Sequence, residues 1–156
     1  MPFVADLGRR FGIVLIIGAI GIGGFVFRDH LTGAAADLQV GDCFDQPTEA
    51  VDVITEVQHR PCSDPHDAEV IVVQDYPAAS DTAYPSDAAM EGFHVAHCVP
   101  AFNSYTGRVY DDEPELYVGL YQPTEDVWRE GDHEITCFIY RYNGAKLTGS
   151  LSATAQ

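Results

Sequence analysis

Positive charge is scarce in this chain. Its 156 residues include eight Lys plus Arg against 24 Asp plus Glu, a formal net charge of −16. A surface that acidic repels nucleic-acid phosphates and anionic lipid headgroups, so no nucleic-acid partner is expected, and it suits cationic partners, divalent cations or a salty environment. Catalytic signatures are also missing. The sequence has no Gly-x-Ser-x-Gly elbow, no Ser-x-x-Lys, no glycine-rich phosphate loop and no zinc-protease helix. It has no Cys-x-x-Cys pair, no internal repeat and no low-complexity segment. The expectation is a chain that is not an enzyme, with no catalytic residue, no metal and no cofactor.

What is present begins with one long apolar run. Arg9 and Arg10 precede an uninterrupted stretch from Phe11 to Phe27, which ends at Arg28-Asp29-His30. As a helix these 17 residues span roughly 26 Å, short for a ~30 Å hydrocarbon core, but the flanking arginines can snorkel to the interfaces. The positive-inside rule places residues 1–10 in the cytoplasm, 11–27 in the membrane as a single-pass anchor, and the rest outside. The rival reading is a signal peptide cleaved after Ala34-Ala35-Ala36. The run is longer than the ~7–15 residues of a signal h-region, so an uncleaved anchor is expected. Ala19 and Gly23 form a small-xxx-small pair within it.

Residues 28–37 read as a linker, 38–151 as one domain and 152–156 as a tail. From Asp37 onward there are 22 acidic and five basic residues. The densest acidic patch, Asp111-Asp112-Glu113 with Glu115, lacks calcium-loop spacing and reads as a solvated face.

Outside the membrane four cysteines most simply form two disulfides. Leu38 to Phe44 and Val53 to Cys62 read as strands, with Asp45-Gln46-Pro47 opening the turn between them. Cys43 and Cys62 then fall near one end of an antiparallel pair. Cys98 lies in a helical segment and Cys137 in the apolar strand Ile135 to Tyr140. The expected bridges are Cys43–Cys62 and Cys98–Cys137, worth roughly 3–4 kcal/mol each in the chain-entropy model. Further strands are expected at Glu69 to Tyr76, Glu115 to Tyr121 and His133 to Tyr142. Asn143-Gly144 is a hairpin-turn signal that would return the chain through Lys146-Leu147-Thr148 to Leu151. Ser86 and Asp87 mark a helix start, and Pro100 is expected to interrupt that helix. The fold class is α+β: a small disulfide-bonded domain with an antiparallel sheet and one main helix across a face.

Two constellations carry the candidate site. Pro65-His66-Asp67-Ala68-Glu69 sets an imidazole between carboxylates on an expected loop, able to serve as a general base, a pH-responsive contact or a backbone-bonded fastener. Trp128-Arg129-Glu130-Gly131-Asp132-His133 places the single tryptophan on an expected turn, either as a binding anchor or as a cap on the core. The candidate binding residues are therefore His66, Asp67, Glu69, Trp128 and Asp132. His94-x-x-His97-Cys98 and the Cys62–His66 spacing offer metal donors in no standard zinc arrangement.

The ordered set Val40-Gly41-Asp42-Cys43-Phe44, Cys62-Ser-Asp-Pro65-His66-Asp-Ala68-Glu69-Val70, Cys98, Pro123-Thr124, Trp128, Gly131-Asp132, Cys137 and Thr148-Gly149-Ser150-Leu151 resembles the actinobacterial septum-formation family. The resemblance covers Leu38 to Leu151 and departs at His133, where arginine is expected. It implies a membrane-anchored extracytoplasmic domain with a non-enzymatic role at division septa or in the envelope. The expected function is a binding or scaffolding module with envelope or division proteins as partners. Two alternatives stand beside it. One is an envelope hydrolase or metal-binding enzyme using His66 and nearby carboxylates, and the other is an accessory subunit of a larger membrane complex.

Overall fold

Apolar side chains pack densely in 68–75 and 134–141, and these segments form the two longest strands of the sheet. The computed structural model describes residues 32–48, 53–77 and 83–155. The expected anchor, the segment before it and residues 28–31 of the linker lie outside these. Among the described residues no helix is long and apolar enough to cross a membrane.

The described residues form six strands: β1 (Thr32–Ala34), β2 (Cys43–Asp45), β3 (Glu56–Arg60), β4 (Ala68–Asp75), β5 (Leu116–Tyr121) and β6 (Glu134–Arg141). They form one sheet in the order β1-β3-β2-β4-β6-β5, and every pairing is antiparallel. The α+β class follows, because the helices α1 (Asp87–Phe93) and α2 (Val99–Thr106) join into one helical run across a single face of this sheet. A short third helix, α3 (Glu125–Arg129), connects β5 to β6.

Each face of the sheet buries its own cluster. Met90, Phe93 and Phe102 of the helical run pack on Ile71, Val118, Ile135 and Ile139. Phe44, Val57, Val70 and Phe138 fill the opposite side with Ala35 and Leu38. β4 serves both clusters through a register shift: Val70 faces Phe138 while Val72 faces Cys137, which leaves Ile71 as an extra residue. The bulge breaks the period-2 alternation, so the successive residues Ile71 and Val72 both join the helix-side cluster while Val70 and Val73 on either side of them join the other. Gly119 meets the second face at closest range. A Cβ there would stand 2.7 Å from two carbons of the Phe138 ring, so only glycine lets that ring lie flat across β5.

The disulfides join Cys43 to Cys62, with Cα atoms 5.2 Å apart, and Cys98 to Cys137, at 5.7 Å. The first ties β2 to the chain just beyond β3, where Cys43 pairs with Arg60. The second ties the helical run to the middle of β6.

Several local expectations are corrected. Leu38 to Phe44 is strand only from Cys43. Before it the chain turns, with Asp42 N–H donating to the Gln39 carbonyl and Gly41 at φ 90°. The second strand is shorter than Val53 to Cys62 and begins at Glu56. Pro100 does not interrupt the helix. Residues His94–Cys98 widen into a π turn directly before it, and Pro100 sits in the first turn of α2, where a missing N–H costs little. The helix instead ends at Gly107, φ 69°. Asn143-Gly144 does turn, but the return does not pair along β6. Leu147 bridges to His66 instead, through N–H···O bonds of 2.8 and 3.1 Å. Trp128 is on α3 rather than on a turn.

Candidate functional site

The five candidate residues divide between the two ends of β4. His66 and Asp67 immediately precede the strand and Glu69 is its second residue. Trp128 packs against Tyr76, just past the other end, with ring centroids 5.5 Å apart. Eight strand residues at ~3.3 Å each separate the two groups, so the five do not form one site.

At the first end every carboxylate is matched. Glu69 is fully buried. Its Oε1 accepts from the Tyr105 hydroxyl at 2.6 Å and the Ser150 hydroxyl at 2.5 Å, and its Oε2 accepts from the Leu151 amide at 2.7 Å. Three donors offset the cost of taking this carboxylate from water. They also clasp the C-terminal segment to the sheet. Burial and the Glu69 carboxylate hold the Tyr105 phenol well above its ordinary range, so it stays a donor. Asp67 accepts from the Gln46 amide at 3.0 Å and pairs with Lys146 at 2.8 Å. Lys146 also pairs with Asp45 at 2.7 Å, and Arg60 pairs with Asp45 at 2.8 Å. Burial works against ionising Asp45, but the hydrogen bonds and charges of Lys146 and Arg60 outweigh it and hold the carboxyl below the usual carboxylate range.

His66 is wholly enclosed. Its Nδ1–H donates to the Asp64 carbonyl at 2.8 Å, and Nε2 has no partner. Cys43, His66 and Glu69 bring a sulfur, an imidazole nitrogen and a carboxylate oxygen within 4.8 Å of one another. That set does not fit a metal: the sulfur is spent on the disulfide and both Glu69 oxygens already accept hydrogen bonds. The other sequence donors are dispersed. His94 Nε2–H donates to the Val118 carbonyl at 2.9 Å, His97 stacks on Phe93, and Cys98 is in a disulfide. Nor does His66 have a path to a substrate, because burial separates it from solvent.

At the second end the tryptophan is 2 % exposed. It is enclosed by Tyr76, Tyr84 and His133, with ring centroids 4.2 to 5.6 Å away. Thr124 caps α3, its hydroxyl accepting from the Val127 amide, and Glu125 and Asp126 fill the first turn. The Thr-Glu-Asp run is a helix-start signal that the expectation of a turn at Trp128 passed over. Of the two roles open to Trp128, burial selects the core cap.

Beside α3 lies a cavity of about 510 Å³, a feature sequence reasoning missed. Ile54, Leu120, Val127 and Tyr121 supply an apolar wall, and Asp132 and Glu134 face it as acids. Burial and Asp67 push the Tyr121 phenol up to about 12, keeping it neutral. Burial together with the nearby charges of Asp132 and Asp75 holds the Glu134 carboxyl above its ordinary range. The lining includes no Lys or Arg, and among the described residues neither Asp132 nor Glu134 enters an ion pair. Of the candidate residues, Asp132 lines this cavity. No sequence signal marks it, because the lining comes from segments near 35, 54, 84, 120 and 132 that only folding brings together.

The architecture defines a small disulfide-bonded α+β domain with His66 enclosed beside β4 and an acid-lined cavity beside α3. Its sequence matches the septum-formation family over residues 40–155. The chain belongs to the septum-formation family. No curated protein and no solved structure matches it.

Proposed function

We propose that this chain is a non-enzymatic, membrane-anchored binding or scaffolding module of the cell envelope that serves septum formation during cell division. The family match across residues 40–155 carries the reading. Three further features support it. The run from Phe11 to Phe27 behind Arg9 and Arg10 suits a single-pass anchor that leaves the C-terminal domain outside. Two disulfides suit an oxidising compartment. The enclosure of His66 and the full engagement of Glu69 weigh against the alternative of an envelope hydrolase. Partners of this acidic domain are cationic proteins of the envelope or the division apparatus.

The test is time-lapse imaging of the full chain fused at its C-terminus to a fluorescent protein that matures in an oxidising compartment. The expected result is fluorescence in the envelope with enrichment at the division site before constriction completes. Uniform envelope signal through the whole cycle removes the division role, and a dark or cytoplasmic fusion removes the anchored topology.

A further inference from the structure

We propose that the cavity between α3, the 54–55 segment and the start of β6 is a binding site for a lysine side chain of a partner polypeptide, its stem along Ile54, Leu120 and Val127 and its ammonium between Asp132 and Glu134. This rests on the reading of the chain as a binding module and names the chemistry of its partner.

The volume, about 510 Å³, falls within the range of ligand pockets, which pair an apolar wall with few polar groups that fix orientation. Both features are present here. The apolar wall matches a chain of four methylenes, and the two carboxylates match a compact charge at its end. The electrostatics lack a positive member. Burial, and after it the charges of Asp132 and Asp75, hold the Glu134 carboxyl above its ordinary range, and no Lys or Arg of the lining answers these acids. An ammonium between Asp132 and Glu134 would relieve that repulsion.

The surrounding charge selects among amines. The segment from Asp37 onward carries 22 acids against five bases, which disfavours a phospholipid, since an amine headgroup brings its phosphate with it. A basic protein surface brings no such penalty and is drawn in at long range. The cavity's position fits the same occupant. Ala35 lines it, and only residues 28–34 separate Ala35 from the end of the apolar run at Phe27. Seven extended residues reach roughly 25 Å, so the site stays within that distance of the membrane and within reach of a partner anchored there.

The experiment uses the full chain in nanodiscs, methyl-labelled at isoleucine, leucine and valine, and titrated with the capped tripeptide Leu-Lys-Leu or its norleucine counterpart Leu-Nle-Leu. The lysine peptide is expected to give saturable shifts centred on Ile54, Leu120 and Val127, and to bind about tenfold more tightly than the norleucine peptide. Asp132→Asn with Glu134→Gln should abolish that preference while leaving the spectrum of the fold intact. Equal affinity for the two peptides, shifts centred on another surface, or a preference that survives in the double variant each overturn the proposal. Shifts that appear without peptide when ethanolamine lipids replace choline lipids in the disc would assign the cavity to lipid and also overturn it. Failure of septal enrichment in the unaltered fusion would remove the division reading, whereas the titration judges the cavity independently.

Discussion

The two ends of β4 handle negative charge in opposite ways. Where the strand begins, Glu69 meets three donors, and Asp67 and Asp45 share Lys146, with Arg60 completing the set. Where it ends, Asp75, Asp132 and Glu134 gather beside a cavity with no Lys or Arg in its lining. A carboxylate with internal donors is committed to holding the fold, because any external ligand must displace bonds already made. A carboxylate whose neighbours repel it remains available. The contrast separates the Pro65-to-Glu69 motif, whose acids are matched by donors across the fold, from Asp132, whose carboxylate accepts from the nearby Glu134 amide at 3.0 Å and enters no ion pair among the described residues.

The largest expected effect is at Trp128, the buried ring packed on Tyr76 at the open end. Trp128→Ala should cost about 3–5 kcal/mol, read by urea unfolding of the full chain in detergent. Unchanged stability would show that the ring is not part of the core, and would blur the division between the two ends.

Glu69→Ala comes next, at about 3 kcal/mol, because it leaves the Tyr105 and Ser150 hydroxyls and the Leu151 amide without their acceptor. Glu69→Gln keeps the shape and should cost less. A matched pair of unfolding curves tests this, and protease sensitivity confined to residues 148–155 in the alanine variant would show the clasp opening.

Lys146→Ala should be worth about 1 kcal/mol or less, since the side chain is 44 % exposed and its charge is screened by solvent. The loss should depend on pH. Asp45 is held below its ordinary 3.8, so its pairing stabilises the fold above that value and fades as pH falls through the lower folded value. Lys146 is itself raised above 10.5 by Asp45 and Asp67 against the opposing effect of burial, so its share fades as pH rises through that higher value. Stability of variant and parent should therefore converge in strong acid. A pH-independent difference would mean that Lys146 acts by packing.

The smallest effect is at Glu134. Its folded carboxyl is raised, so the ionised form disfavours the fold and stability should rise as pH falls through the raised value. Glu134→Gln should remove this dependence and shift neutral stability by no more than about 0.5 kcal/mol, in the stabilising direction. Clear destabilisation by this change would place Glu134 among the matched acids and erase the contrast.

Much of the fold was legible locally. Alternation and β-rich runs marked β4, β5 and β6 to within a residue or two, and Ser86 marked the start of α1, where its hydroxyl accepts from the Ala89 amide. The misreadings have local causes too. Val40-Gly41-Asp42 is apolar enough at its flanks to resemble a strand, yet Gly41 turns it. Pro100 signals a break, and a widened turn upstream absorbs it. The candidate site was legible as residue types and not as roles. His66, Glu69 and Trp128 were singled out, but whether each is open or enclosed depends on chain far away in sequence.

What the sequence determined by itself is therefore whatever depends on neighbours along the chain: the apolar run and its flanking arginines, the acidic character, the strand and helix periods, and cysteines placed on elements that packing brings together. Tertiary structure alone decided that Glu69 clasps Ser150 and Leu151, 81 and 82 positions away. It also decided that Leu147 bridges to His66 rather than back to β6, and that five distant segments enclose a cavity around Asp132. The reason is physical. Periodicity and turn preference are set by a few successive dihedral angles, whereas the burial of a carboxylate, and the donor that makes it tolerable, is settled only when the whole sheet closes.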